Sequence, residues 1–330
     1  MKAVVCKQFG PPESLVVEEL DAPSLEPGQV RVGVHACGVN FPDTLIIENK
    51  YQFKPALPFS PGGEVAGEIL EVGEGVDGYS VGDRVIAMCG WGGFAEEVCV
   101  PAKSLMVIPE GMDFVTAAGF SMTYGTSYYA LKQRAALKPG ETLLVLGAAG
   151  GVGLAAVELG RLMGARVIAA ASSDEKLELC REYGADAGIN YTTDSLKERA
   201  KELTGGQGAD VIYDAVGGDY FDQAIRCINW KGRLLIIGFA SGRIPELPVN
   251  LVLLKGCQVV GVFWGAFTGR EPEENARNIA ELGALYAEGK LKPHVCATYP
   301  LEQVAEALNG IITRKARGKI ILTTGRSSSR

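Results

Sequence analysis

Residues 142–174 read TLLVLGAAGGVGLAAVELGRLMGARVIAAASSD: a short apolar run, a glycine-rich loop, a helix-spaced segment and a second apolar run in immediate succession. A lone glycine pattern says little, but this order of strand, loop, helix and strand makes it a dinucleotide-binding fingerprint. The register is A-x-G-x-x-G, with Ala148 in the place usually held by the first glycine. Gly150 and Gly151, flanked by Ala149 and Val152, let the backbone approach a pyrophosphate. Gly153 permits close packing of helix on strand, and the helix N-terminus supplies N–H groups and a favourable dipole. The competing reading is a tight strand-to-helix turn that binds nothing. The strands that follow argue against it.

Those strands are AGINY (187–191), DVIYDAV (210–216), RLLIIG (233–238) and CQVVGVF (257–263). Several are apolar almost throughout, as parallel strands covered by helices on both faces are, whereas a sheet wetted on one side alternates. Six such strands predict a doubly wound parallel sheet. The end of the second strand decides the nucleotide. An acid there would hydrogen-bond a ribose 2′-hydroxyl; here Ser172 and Ser173 stand instead, and Asp174 is placed to begin the next helix. With Lys176 a short turn further on and Tyr191 ending the third strand, the site favours a 2′-phosphate and hence NADPH over NADH. Gly238, Phe239, Ala240 and Ser241 follow the fifth strand, and Val262, Phe263 and Trp264 end the sixth. Both segments fall beyond carboxyl ends of strands, where a cofactor runs in such sheets.

The first 122 residues have another texture, with short strands, prolines and glycine turns such as VRVGVHACGVN and VGDRVIAM, and predict an antiparallel, barrel-like β domain. After residue 263 come helical stretches at 273–288 and 301–313 and a strand at 318–323. A six-stranded sheet is already complete without that last strand, so the tail is expected to return to the first domain. This gives residues 1–122 with 265–330 as one domain and 123–264 as an insertion, with a polar, frayed end at 326–330.

Composition narrows the function. A net charge of −7 over 330 residues opposes a nucleic-acid surface. The charge-free stretches 114–131 and 142–157 are too polar or too glycine-broken to span a membrane, and the N-terminus lacks an apolar signal core. Eight scattered cysteines with no C-x-x-C pair suggest a reduced cytoplasmic protein with packed thiols.

Across nearly the whole chain, CGVNFPD (37–43), PGGEVAG (61–67), GDRV (82–85), GGFAEE (92–97), GAAGGVG (147–153) and RKARGKIIL (314–322) occur in the order seen in medium-chain dehydrogenases and reductases. They most resemble the zinc-free quinone oxidoreductases, the zeta-crystallin group. The resemblance implies an α/β chain: a GroES-like β-barrel catalytic domain with an inserted Rossmann domain. The zinc alcohol dehydrogenases of this superfamily have a cysteine ligand where this chain has Asn40, a histidine where it has Gly63, and a cysteine-rich lobe where only Cys99 falls. The expectation is therefore no metal, with His35 and His294 structural or at the surface. The resemblance further implies Tyr51 beside the nicotinamide as hydrogen-bond partner or proton donor, with half-buried packing the alternative. It gives Asn40 contact with acceptor or carboxamide, Asp43 support of the loop, Thr123 a place under the nicotinamide, and Lys319 a reach toward the cofactor or only the surface.

The expected activity is NADPH-dependent, metal-free hydride transfer to a small quinone or similar conjugated carbonyl. An enoyl or alkenal reductase, or a crystallin-like protein that binds NADPH without turnover, stand as alternatives. A homodimer through the sixth strand is also expected: from Cys257 to Phe263 no lysine or proline blunts what should be a sheet edge.

Overall fold

The computed structural model describes residues 1–327, so the last three residues of the polar 326–330 tail lie outside the described residues. The chain divides into two compact units: Met1–Ser121 joined by the residues from Lys292 onward, and Met122–Leu291.

The first unit begins with β1 (Lys2–Val5) paired antiparallel to β2 (Val16–Glu19), followed by β3 (Gln29–Val39), β4 (Glu64–Val72), β5 (Arg84–Met88), β6 (Glu97–Pro101) and β7 (Leu105–Val107). β3 is the spine, buried over almost its whole length, and pairs with β4, with β6 and with a strand from the end of the chain. Register shifts at Arg31/Val32 and Val34/Ala36 bend it, as an element serving several partners in a curled sheet must be.

The second unit contains β8 (Thr142–Leu146), β9 (Arg166–Ala171), β10 (Ala187–Asn190), β11 (Ala209–Asp214), β12 (Ile228–Ile236) and β13 (Gln258–Gly261), all parallel, in the order β10-β9-β8-β11-β12-β13. β8 and β9 are buried except at their first residues, which is why they carry no polar alternation. β13 has one neighbour only and forms an edge, as its position in the sequence led one to expect.

Gly153 shows what the glycine loop is for. A Cβ on it would sit 2.3 Å from the Gly147 carbonyl oxygen and 2.9 Å from Ala148 Cα. Alanine would gain about 1 kcal/mol of helix propensity, but backbone at that distance cannot yield, and glycine is retained.

The chain then returns through β14 (Val295–Pro300) and β15 (Lys319–Thr323), with the helix Val304–Ile312 between them. β15 lies antiparallel on β3, from Ile320 opposite Val39 to Thr323 opposite Ala36, with Ile321 and Leu322 fully buried. The place of return differs from the expected residue 265. The helices Trp264–Arg270 and Pro272–Ala287 stay with the second unit, through buried Trp264, Phe267 and Leu282 and through polar contacts that apolar periodicity does not register. Tyr128 and Lys132 donate to Glu281 at 2.5 and 2.6 Å, Gln133 Nε2 donates to Asn278 at 2.8 Å, and Tyr129 stacks on Phe267 at 4.0 Å.

Candidate active site

The second unit offers a cradle for a dinucleotide. β8 ends in Gly147, at positive φ, and Gly150 caps the helix Gly151–Leu162, whose first turn points its N–H groups out of the loop. The loop is braced from beneath: Ser127 Oγ donates to the Val152 carbonyl at 2.8 Å and lies 2.9 Å from the fully buried Tyr213 hydroxyl. At the end of β9, Lys176 Nζ donates to Ser172 Oγ at 2.9 Å, and Ser173 Oγ caps the helix Asp174–Glu182 by accepting from Lys176 N. Asp174, in the first turn of that helix, takes a hydrogen bond from Asn190 Nδ2 at 3.0 Å. Tyr191 follows β10, its ring 4.3 Å from that of Tyr220. A cation and two hydroxyls with the acid turned to a neighbour is a set that suits a phosphate monoester better than a bare diol.

Beyond β11, both Val216 N and Gly217 N donate to Asp214 Oδ1 at 2.8 Å. Ala240 N and Ser241 N bond back to the carbonyls of Ala215 and Val216, so Gly238, Phe239, Ala240 and Ser241 form a loop tied at its base. Val262 N bonds to Ile236 O at the end of β12; Phe263 is exposed and Trp264 is buried. The indole of Trp264 lies on Gly125, where a Cβ would approach it to 2.6 Å, and Thr123 is buried in the same helix, Ser121–Tyr129. Trp264 is thus a packing residue of this unit.

The first unit holds a buried polar cluster. Lys319, on β15 and 6% exposed, directs its ammonium to Asn40 Oδ1 at 2.7 Å, Val39 O at 3.1 Å and Glu64 Oε2 at 3.5 Å. Asn40 Nδ2 donates to Gly38 O and to Glu64 Oε2, both at 3.2 Å, and Asn40 N donates to Asp43 Oδ2 at 2.8 Å. Asn40 and Lys319 therefore do other work than expected. Both donors of the Asn40 amide are engaged within this unit, and the Lys319 ammonium donates to two oxygen atoms with the Glu64 carboxylate beside it. Asp43 does hold its loop.

Glu64, fully buried, is the member that sequence reasoning missed. Its signal was an acid inside PGGEVAG, an otherwise apolar strand, where a buried carboxylate requires a partner. Tyr51 is half-buried and meets Phe53 edge-on at 5.8 Å. Burial first, and then the charge of Asp43, raise its phenol above the usual value. Among the described residues no three His, Cys, Asp or Glu side chains gather as a metal-ion set. His35 is buried and stacked on Phe114 at 4.0 Å.

Burial pushes the Asp43 carboxyl up to about 7, against the backbone N–H groups of Asn40 and Gly62 and the charge of Lys319, which favour its ionised form. A carboxyl whose folded-state value exceeds its unfolded value keeps its proton longer in the folded state. Stability is then full below the unfolded value near 4 and is lost as pH rises toward 7. Thermal unfolding between pH 5 and 8 should show that decline, and Asp43→Asn should flatten it; an identical slope in the variant would remove Asp43 as its source.

Two family models match the chain: alcohol dehydrogenase GroES-like domain over residues 26–110 and zinc-binding dehydrogenase over residues 151–281. A quinone oxidoreductase-like protein 2 homolog of Nematostella vectensis is 46% identical over 98% of this chain and 89% of its own length. The human quinone oxidoreductase is 34% identical over 98% of this chain and 97% of its own. The Escherichia coli quinone oxidoreductase, solved in complex with NADPH, superposes with a TM-score of 0.92 at 30% identity, over 98% of this chain and all of the other. The chain is an oxidoreductase and belongs to the quinone oxidoreductase family of medium-chain dehydrogenases and reductases.

Proposed function

We propose that the chain, an NADPH-dependent oxidoreductase, passes hydride to a quinone or a similar conjugated carbonyl without a metal ion. The observation that carries this reading is the Lys319 ammonium seated among Asn40, Val39 and Glu64. A cation already occupies this buried carboxylate-and-amide cluster, and a metal ion would have to displace it. Conjugated acceptors suit such a site, because the charge that develops on their oxygen is delocalised and a proton donor suffices to quench it.

NADPH, when bound, supplies the hydride. Ala149, Gly150, Gly151 and Val152 offer the pyrophosphate their backbone, while Ser172, Ser173, Lys176 and Tyr191 take the 2′-phosphate. Thr123, the 238–241 loop, Val262 and Phe263 flank the remainder of the nucleotide. Tyr51 is the proton donor: a phenol is neutral at physiological pH and can give its hydroxyl proton to the acceptor oxygen as hydride reaches the conjugated system. Asn40 acts from behind, as a support.

Steady NADPH oxidation with quinones, faster than with enones or enoyl thioesters, is the expected result across a substrate panel. Tyr51→Phe should lower turnover by about 10²-fold or more with NADPH affinity unchanged. Faster reduction of enones would assign the alkenal reductase reading instead, and no oxidation of NADPH by any acceptor would leave a binding protein.

Lys176→Met should weaken NADPH binding about tenfold, ~1.4 kcal/mol, while leaving NADH untouched, as followed by intrinsic fluorescence. Equal losses for the two nucleotides would move the 2′-phosphate elsewhere.

The same proposal includes a homodimer through β13. Apolar side chains crowd the segments beside this edge: Leu253 is 79% exposed, Val249, Leu254 and Ile244 are exposed nearby in sequence, and Trp230 is 65% exposed where Gly256 packs against its ring. Pairing two such edges across a two-fold axis would cover the patch and complete the strand. Sedimentation should give twice the 34.9 kDa chain mass, and Leu253→Glu should give monomer. A wild-type monomer would refute the interface.

A further inference from the structure

We propose that Lys319 is a positioning residue of the reaction, acting on Tyr51 through Asn40; the inference rests on the proposed role of Tyr51 as proton donor. Lys319 comes from β15, the strand that returns after the whole second unit has been built, yet its ammonium ends on the corner where β3 turns into the helix Phe41–Ile46. The path it takes is kept open. A Cβ on Gly38 would lie 2.1 Å from the Ala118 carbonyl, 2.9 Å from Glu64 Oε2 and 3.1 Å from Lys319 Nζ, and one on Gly119 would lie 3.2 Å from Lys319 Cγ. Two glycines thus line the lysine stem, and larger residues at either would displace it.

From the ammonium to Tyr51 the links are continuous. Lys319 fixes the oxygen of the Asn40 amide, so its nitrogen must face Glu64 and Gly38. The Asn40 backbone N–H is held by Asp43, one turn into the helix, and the Asp43 N–H returns to Asn40 O at 3.0 Å. The short helix ends at Ile46, and its Leu45 carbonyl accepts from Lys50 N at 2.9 Å, which places Tyr51 as the next residue along. Neither the Lys319 nor the Asn40 side chain needs to touch the acceptor; each sets where the phenol stands. A displacement of about 1 Å of such a group costs on the order of 10²-fold in rate.

The charged and titratable groups around Asp43 are Lys319 on β15, Glu64 on β4, Cys37 on β3, Cys89 after β5 and Tyr51 itself. Lys319 is the one cation among them. Its removal therefore leaves Asp43 harder to ionise, and the loss of thermal stability on raising pH should begin at the same pH but extend to higher pH, a readout independent of turnover.

The test is a double-mutant comparison on the full-length protein. Lys319→Met keeps the stem and removes the ammonium; it should lower kcat roughly ten- to a hundredfold with the KM for NADPH unchanged. Combined with Tyr51→Phe it should cost no more than Tyr51→Phe alone, because the group it positions is already gone. Asn40→Ala cuts the same link while leaving the lysine in place with Val39 O and Glu64 beside its ammonium, should behave alike, and serves if Lys319→Met does not fold. Losses that multiply with that of Tyr51→Phe, or a Lys319→Met enzyme of full kcat, would overturn the positioning role. An inert Tyr51→Phe would instead overturn the proton-donor reading beneath it.

Discussion

The architecture of the first unit turns on one buried ammonium. Taking a lysine out of water costs several kcal/mol unless oxygen atoms replace its hydration, and Lys319 finds three of them on two different strands and the corner between. Removing a partner would strand a charge, so the cluster is cooperative: β15 must lie on β3 in one register for the lysine to reach Asn40, and Asn40 must turn its oxygen inward for Glu64 to be satisfied. The hydrophobic residues of β15, Ile321 and Leu322, supply the adhesion. The ammonium reinforces the register, because a slip of one residue would turn it to the other face and away from its oxygen atoms. A chain interrupted by an entire second unit between Ser121 and Lys292 needs such a marker to close its first sheet correctly.

The second unit solves the opposite problem. Its sheet is parallel and largely apolar, with burial enough for cohesion, and the polar groups that shape its loops lie at the carboxyl ends of the strands. There the backbone is arranged by side chains bonded to it: Ser127, with Tyr213 behind it, beneath the glycine loop, and Asp214 beneath the turn that follows β11. Desolvation raises the Asp214 carboxyl above its ordinary value while two N–H groups at 2.8 Å pull it back. An acid placed so deeply is a fixed template for the turn, and the loop 238–241 hangs from the carbonyls of that turn.

Legibility in the sequence followed the kind of force involved. The six parallel strands were readable because burial on both faces leaves an unbroken apolar record, and the glycine loop because Gly153 has a steric requirement that no other residue meets. The return of the chain was misjudged by 27 residues, from 265 to Lys292, since the helix Pro272–Ala287 is held by Tyr128, Lys132 and Gln133 through hydrogen bonds that leave no periodicity. Asn40 and Lys319 were recognised as special, yet their work was not. Motif position marks a residue as part of a site but not which way its amide turns, and that direction was decided by Glu64, itself unremarked in the sequence.

The same cluster bears on when Tyr51 can act. A buried phenol beside a carboxylate is a reluctant acid, and both burial and the charge of Asp43 make Tyr51 so. Asp43, held near neutrality, carries a negative charge only part of the time at physiological pH. Each time it takes up a proton, one obstacle to ionising Tyr51 is withdrawn, so the phenol is the better donor when its neighbour is neutral. Lys319 opposes this by favouring the Asp43 carboxylate, and Glu64 offsets Lys319 in turn. The balance of three buried charges therefore sets the acidity of a fourth group that faces partly outward, while the arrangement that holds them apart also fixes the corner from which that group is carried.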